Sequence, residues 1–85
     1  MKAIDGRQLK AGRMILGLTM QQVGEAADLS RNSVLRAEGK RRLPRHCWAG
    51  DRISDFLERE GVSFDIEGDV AVIRFASDPA RRKAP

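Results

Sequence analysis

The sequence predicts a mainly α fold of four to five helices with a C-terminal β-hairpin. Three observations lead there. Two capping boxes, Asp5-Gly-Arg-Gln8 and Thr19-Met-Gln-Gln22, each introduce apolar residues at helical spacing. A cap-forming Ser30 introduces a third helical run, and a fourth ends before Gly61. From Val62 onward the apolar period changes to two.

The first box starts a helix over about Gly6–Leu16, with Leu9, Gly12 and Leu16 on one side and Ile15 beside them. Gly17 suits the left-handed position after its end. Gly12 in the interior costs roughly 1 kcal/mol relative to Ala, and a close helix crossing is a reason to tolerate it. The second box starts a helix over about Met20–Ala27. Val23, Ala26 and Ala27 share a face, and small residues such as Gly24 and Ala27 let another helix approach closely. Asp28-Leu29-Ser30 is the connection; Asp tolerates the left-handed conformation better than most residues with a Cβ. The third helix, about Arg31–Glu38, turns Val34 and Ala37 inward and leaves Arg31, Asn32, Ser33 and Arg36 outward, with Gly39 ending it. After a basic loop, Lys40–Pro44, comes a fourth helix over about Arg45–Arg59 with Ala49, Ile53, Phe56 and Leu57 on one face. Gly61 closes it. Val62, Phe64 and Ile66 then alternate with polar residues, Gly68-Asp69 turns the chain, and Val70–Phe75 forms the second strand. A lone hairpin is marginal in water, so this one must pack on the helices or pair with another chain.

Composition narrows the function classes. The chain has 85 residues, room for one domain. A domain this size buries only about 60–65 % of its unfolded surface, and dimerisation is a common remedy. Lys and Arg number 16 against 12 acids, a net charge of +4. The excess is local: residues 31–45 hold Arg31, Arg36, Lys40, Arg41, Arg42 and Arg45 against Glu38 alone. Such density suits phosphates. No apolar run is long enough for a signal peptide or a membrane-spanning helix, so a soluble cytoplasmic protein is expected. Cys47 is the single cysteine and His46 the single histidine, too few for a structural metal site. As neighbours on a helix they point about 100° apart, with no third group to orient them, so neither catalysis nor a cofactor is expected. A small buried thiol is the simpler account of Cys47. Trp48 is expected in a core or an interface.

Two short capped helices joined by a tight turn have the geometry of a helix-turn-helix. The second of them offers free backbone N–H groups and a positive dipole end toward phosphates. Arg can bind guanine O6 and N7 with two bonds, and Asn does the same on adenine. Arg31 and Asn32 lie in the first turn, where such contacts are made.

Over about Leu9–Leu57 the sequence resembles the lambda-repressor-like (Cro-type, XRE) helix-turn-helix family. The stretch Leu18-Thr-Met-Gln-Gln-Val-Gly-Glu-Ala-Ala-Asp-Leu-Ser-Arg-Asn-Ser-Val-Leu-Arg-Ala-Glu38 follows its pattern of small and apolar positions. Gly24 and Val34 match two of its buried places, and Arg13 and Glu38 match a pair that joins helix 1 to helix 3. Asp28 stands where the family usually has Gly. Met20 stands where it often has a phosphate-gripping Gln, with Gln21 and Gln22 next to it. The resemblance implies a sequence-specific transcriptional regulator, a repressor in the simplest case, bound as a homodimer to an inverted repeat in double-stranded DNA.

The expected roles are as follows. Arg31, Asn32, Ser33 and Arg36 read bases. Gln21, Gln22, Ser30, Lys40, Arg41, Arg42 and Arg45 hold phosphates. Arg13 and Glu38 form a structural pair. Val62, Phe64, Ile66, Val70, Val72, Ile73 and Phe75 form a dimerisation surface. In domain terms, residues 1–61 bind DNA, 62–76 are the hairpin and 77–85 a disordered basic tail. A different class stays open: an antitoxin-like interaction protein whose main task is to bind a partner protein through the hairpin or tail.

Overall fold

The computed structural model describes residues 2–44 and 47–76. In chain order the elements are α1 (Gly6–Ile15), α2 (Met20–Ala27), α3 (Arg31–Glu38), α4 (Trp48–Arg59), β1 (Val62–Glu67) and β2 (Val70–Phe75). Four helices and a two-stranded antiparallel hairpin thus make a mainly α architecture. The segment 77–85 lies outside the described residues, as do Arg45 and His46.

Each helix starts where a side chain satisfies its first free N–H groups. Asp5 accepts from the Arg7 N–H at 2.8 Å, and the Gln8 side chain reaches back to the Asp5 N–H. Thr19 and Gln22 make the reciprocal pair at α2, 3.1 and 2.8 Å. Ser30 accepts from the Ser33 N–H at 3.1 Å and starts α3. The fourth helix begins later than its apolar pattern suggests. Cys47 is its N-cap, extended at φ −73° and ψ 100°, with its sulfur accepting from the Gly50 N–H at 3.4 Å. The thiol is therefore half-buried and capping rather than a buried filler.

The ends are equally local. Gly17 takes φ +71° after α1. Asp28 ends α2 in the left-handed region at φ 60° and ψ 49°, its N–H bonded to the Gly24 carbonyl. Gly39 differs: it stays right-handed at φ −80°, and its N–H bonds back to Leu35, so α3 ends without a left-handed residue.

The core is one cluster of side chains from every element. Leu9, Val23, Val34, Ile53 and Leu57 are fully buried, each contributing roughly 1.5–3 kcal/mol over exposure. Ala26, expected on the inner face of α2 with Val23 and Ala27, is exposed, whereas Val23, Gly24 and Ala27 are buried as expected. On α4 the buried residues are Gly50, Ile53, Ser54 and Leu57; Ala49 and Phe56 are only half-buried. The close approach at Gly12 is real but involves two elements. A Cβ there would lie 3.1 Å from Leu57 of α4 and 3.2 Å from Val62 of β1.

The hairpin pairs Val62 with Phe75 and Glu67 with Val70 at its two ends. Its turn has φ +65° at Gly68 and no positive φ at Asp69, as in a type II′ turn. One face closes on α1 and α4: Val62 is 1 % and Phe64 3 % exposed, and Ile73 and Phe75 pack against the same core. Val62 and Phe64, expected in a dimer interface, are thus buried in the chain's own core. Val72 is half-buried; the large apolar side chains left open on the hairpin are Ile66 and Val70 near the turn. Gln8 locks the hairpin down, its Nε2 donating to the carbonyls of Asp65 at 3.2 Å and Val72 at 2.9 Å.

Candidate nucleic-acid interface

The side chains of α3 divide by the 100° step of the helix. Val34, Ala37 and Glu38 are buried. Arg31, Asn32, Leu35 and Arg36 are exposed on the opposite arc, and Ser33 sits half-buried at its margin. The Ser33 hydroxyl is 3.0 Å from that of Ser30, so both hydroxyls already have a partner inside the helix start. Of the residues expected to read bases, Arg31, Asn32 and Arg36 stand together on the open arc and Ser33 stands apart. Leu35 lies between Arg31 and Asn32 when the helix is viewed end-on; the helical step applied to the sequence would have found it.

Two anchors hold α3 from behind. The Arg13 guanidinium donates to both Glu38 oxygens, at 2.7 and 3.1 Å, and to the Leu18 carbonyl at 3.0 Å. Glu38 is 3 % and Arg13 12 % exposed, so this ion pair is shielded from water. Gly6 is the second anchor. A Cβ there would fall 2.3–2.6 Å from the carbonyl oxygens of Ala37, Glu38 and Lys40, so only glycine lets α1 meet the end of α3.

The basic loop is staked at both ends. The Gly6 N–H donates to the Lys40 carbonyl at 2.8 Å, and the Leu43 N–H to the Ile4 carbonyl at 2.7 Å. Leu43 is buried, and Lys40, Arg41 and Arg42 are exposed between the stakes. Arg36 and Lys40 line one depression with Ser33, Ala37, Cys47 and Ala49. Arg31 lines another with Thr19, Met20 and Gln21 at the start of α2. Gln21 is exposed there; the Oε1 of Gln22 is used by the capping box.

The charges are segregated. Among the described residues, Arg31, Arg36, Lys40, Arg41 and Arg42 pair with no carboxylate, whereas Lys2, Arg7, Arg13, Arg52 and Arg74 each do. Neither α2 nor α3 has an acid in its first turn. The other half of the chain is acidic: residues 47–76 carry Asp51, Asp55, Glu58, Glu60, Asp65, Glu67 and Asp69 against Arg52, Arg59 and Arg74. Behind the basic loop, the Arg7 guanidinium holds the Asp5 carboxyl below the usual carboxylate range, and Arg41 adds to that field.

Two features of α4 were not legible in sequence. Trp48 is 63 % exposed, so it is no core residue. Arg52 stacks over its ring at 4.7 Å and donates to the carbonyls of Ala27 at 3.4 Å and Asp28 at 3.2 Å. These contacts join residues 24–25 apart in sequence, and no local pattern marks them.

Among the described residues, no three His, Cys, Asp or Glu side chains gather as a metal site would need, and no helix is long and apolar enough to cross a membrane. No family model, curated protein or solved structure matches the chain.

Proposed function

We propose that this protein is a sequence-specific DNA-binding regulator of the helix-turn-helix type, with α3 as the helix that enters the major groove. One observation carries the reading. A short capped helix, anchored from behind by a shielded ion pair, presents Arg31, Asn32 and Arg36 outward beside a loop whose Lys40, Arg41 and Arg42 pair with no carboxylate among the described residues. Arg31 and Asn32 have the donor geometry for guanine and adenine edges. Arg36 reaches a base or a phosphate. Lys40, Arg41, Arg42 and Arg45 hold the phosphate backbone, with Gln21 and the N–H groups at the start of α2 on the flanking strand. The pattern of residues 18–38 that resembles the lambda-repressor-like family agrees with this assignment.

A homodimer on an inverted repeat is the arrangement we propose, with half-sites about 34–36 Å apart. With Val62 and Phe64 taken by the core, a second copy would meet the hairpin near Ile66 and Val70. Repression by occluding a promoter needs no further machinery.

The test is selection of bound duplexes from a random library near physiological salt, where non-specific binding is weak. Enrichment of an inverted repeat supports the dimeric regulator. A single half-site keeps the regulator and removes the dimer. Binding only at low salt, with no enrichment, removes the regulator and leaves an interaction protein with a generic basic surface.

A further inference from the structure

We propose that Leu35 reads thymine through its 5-methyl group, a role that rests on the DNA-binding reading above. A lone exposed leucine is ordinary on a protein surface. The position of this one is what carries the inference. Leu35 is 45 % exposed and belongs to no part of the core cluster. Its Cα lies four residues from Arg31 and three from Asn32, so all three share one face of α3. Arg36 continues the exposed arc, and Gly39, one turn beyond Leu35, is exposed and adds no side chain. An apolar group thus stands among polar readers.

In the major groove the base edges offer donors, acceptors and one apolar group, the thymine methyl. Arg31 and Asn32 match the polar edges; Leu35 matches the methyl. Two cationic neighbours also argue against a protein partner here. An apolar pocket on another protein would have to desolvate Arg31 and Arg36, whereas a duplex supplies phosphates and guanine acceptors to them. The thymine should therefore lie within one or two base pairs of those read by Arg31 and Asn32.

The experiment uses the duplex enriched by selection, with each thymine in turn replaced by deoxyuridine, which lacks only the methyl. Wild type should lose affinity roughly three- to fivefold at one position per half-site, the amount expected for burying one methyl group. Leu35→Ala, whose fold is checked by circular dichroism, should bind the thymine and deoxyuridine duplexes equally. Leu35→Met should keep part of the preference. Equal binding of all deoxyuridine duplexes by wild type would overturn the role. So would an undiminished methyl preference in Leu35→Ala, which would assign the contact to another residue. Failure to enrich any duplex would overturn the DNA-binding reading and this role with it.

Discussion

Arg52 reaches from α4 to the backbone of Asp28, the residue that ends α2 in the left-handed conformation. Its guanidinium donates to the Asp28 carbonyl at 3.2 Å while lying over the Trp48 ring. The contact ties α4 to the connection that sets the angle between α2 and α3. The Asp28 carboxylate is 95 % exposed, so the ion pair itself adds little. The bonds to the carbonyls at the end of α2 matter more, because they satisfy groups the helix leaves open and favour a cation there. Arg52→Ala should lower stability by about 1–2 kcal/mol. In DNA binding it should reduce affinity while leaving the slope of affinity against salt unchanged. Arg41→Ala, which removes a proposed phosphate contact, should reduce that slope by about 1. Titrations at several salt concentrations distinguish the two; a reduced slope in Arg52→Ala would place its guanidinium on the DNA.

Glycine-to-alanine changes in α1 and α2 should have unequal effects. In an open helix interior the change stabilises by about 1 kcal/mol. At Gly24 the new methyl would lie 2.6 Å from the Leu29 carbonyl oxygen, in the turn that folds back over α2. Backbone cannot yield cheaply there, and Gly24→Ala should destabilise by about 1–3 kcal/mol. At Gly12 the nearest atoms, at 3.1 and 3.2 Å, are side-chain methyls of Leu57 and Val62. Those can move by a few tenths of an ångström, so Gly12→Ala should fall close to neutral. Urea unfolding of both variants is the check, and equal losses would contradict the contrast.

What the sequence made legible follows from the range of the interactions. The capping boxes at Asp5 and Thr19, the cap at Ser30 and the left-handed Asp28 all act within four residues, and each was readable in advance. The change of period at Val62 correctly marked the hairpin. It did not say which surface would cover the apolar face, because α1 and α4 compete with a second chain for Val62 and Phe64. The start of α4 was misplaced since Cys47 resembles no usual cap. Residues that act across the chain gave no local sign: Gln8 on the hairpin, Gly6 under α3, and Arg52 on the turn. Ser33 matched the types that read bases; its half-buried hydroxyl also lies 3.0 Å from that of Ser30, a contact that the three-residue spacing at a helix start allows.

The pair Arg13–Glu38 should show strong coupling. Because Glu38 is 3 % exposed, removing Arg13 strands a carboxylate away from water. Arg13→Met alone should cost about 3–5 kcal/mol, and Glu38→Gln alone a comparable amount. The double variant should cost clearly less than the two together, since neither charge is left unpaired. A double-mutant cycle by chemical denaturation measures this. Additive losses would mean that the two side chains act separately, one through the Leu18 carbonyl and the other through packing.

Acid should loosen the start of α1 first. The Asp5 carboxyl is held below its ordinary range chiefly by hydrogen bonds from the Arg7 side chain, opposed by burial. The folded chain therefore binds that proton less readily than the unfolded chain does. Its contribution to stability is fully present above the unfolded Asp value, about 3.9, and is lost as the pH falls through the lower folded value. Asp65, lowered by the Ile66 N–H, has the same sign, so some acid sensitivity should persist without Asp5. Asp5→Asn keeps a side chain that caps helices well but has no carboxylate for Arg7, so it should be less stable than wild type at neutral pH and draw level with it in acid. Its effect should appear as a flatter decline of the melting temperature as the pH falls below about 4. Since Asp5 sits where Gly6 meets Lys40, the same titration followed at the Lys40 and Arg41 amides should show the basic loop loosening in wild type. A decline as steep in Asp5→Asn as in wild type would remove Asp5 from the acid response and leave Asp65 and the other carboxylates to account for it.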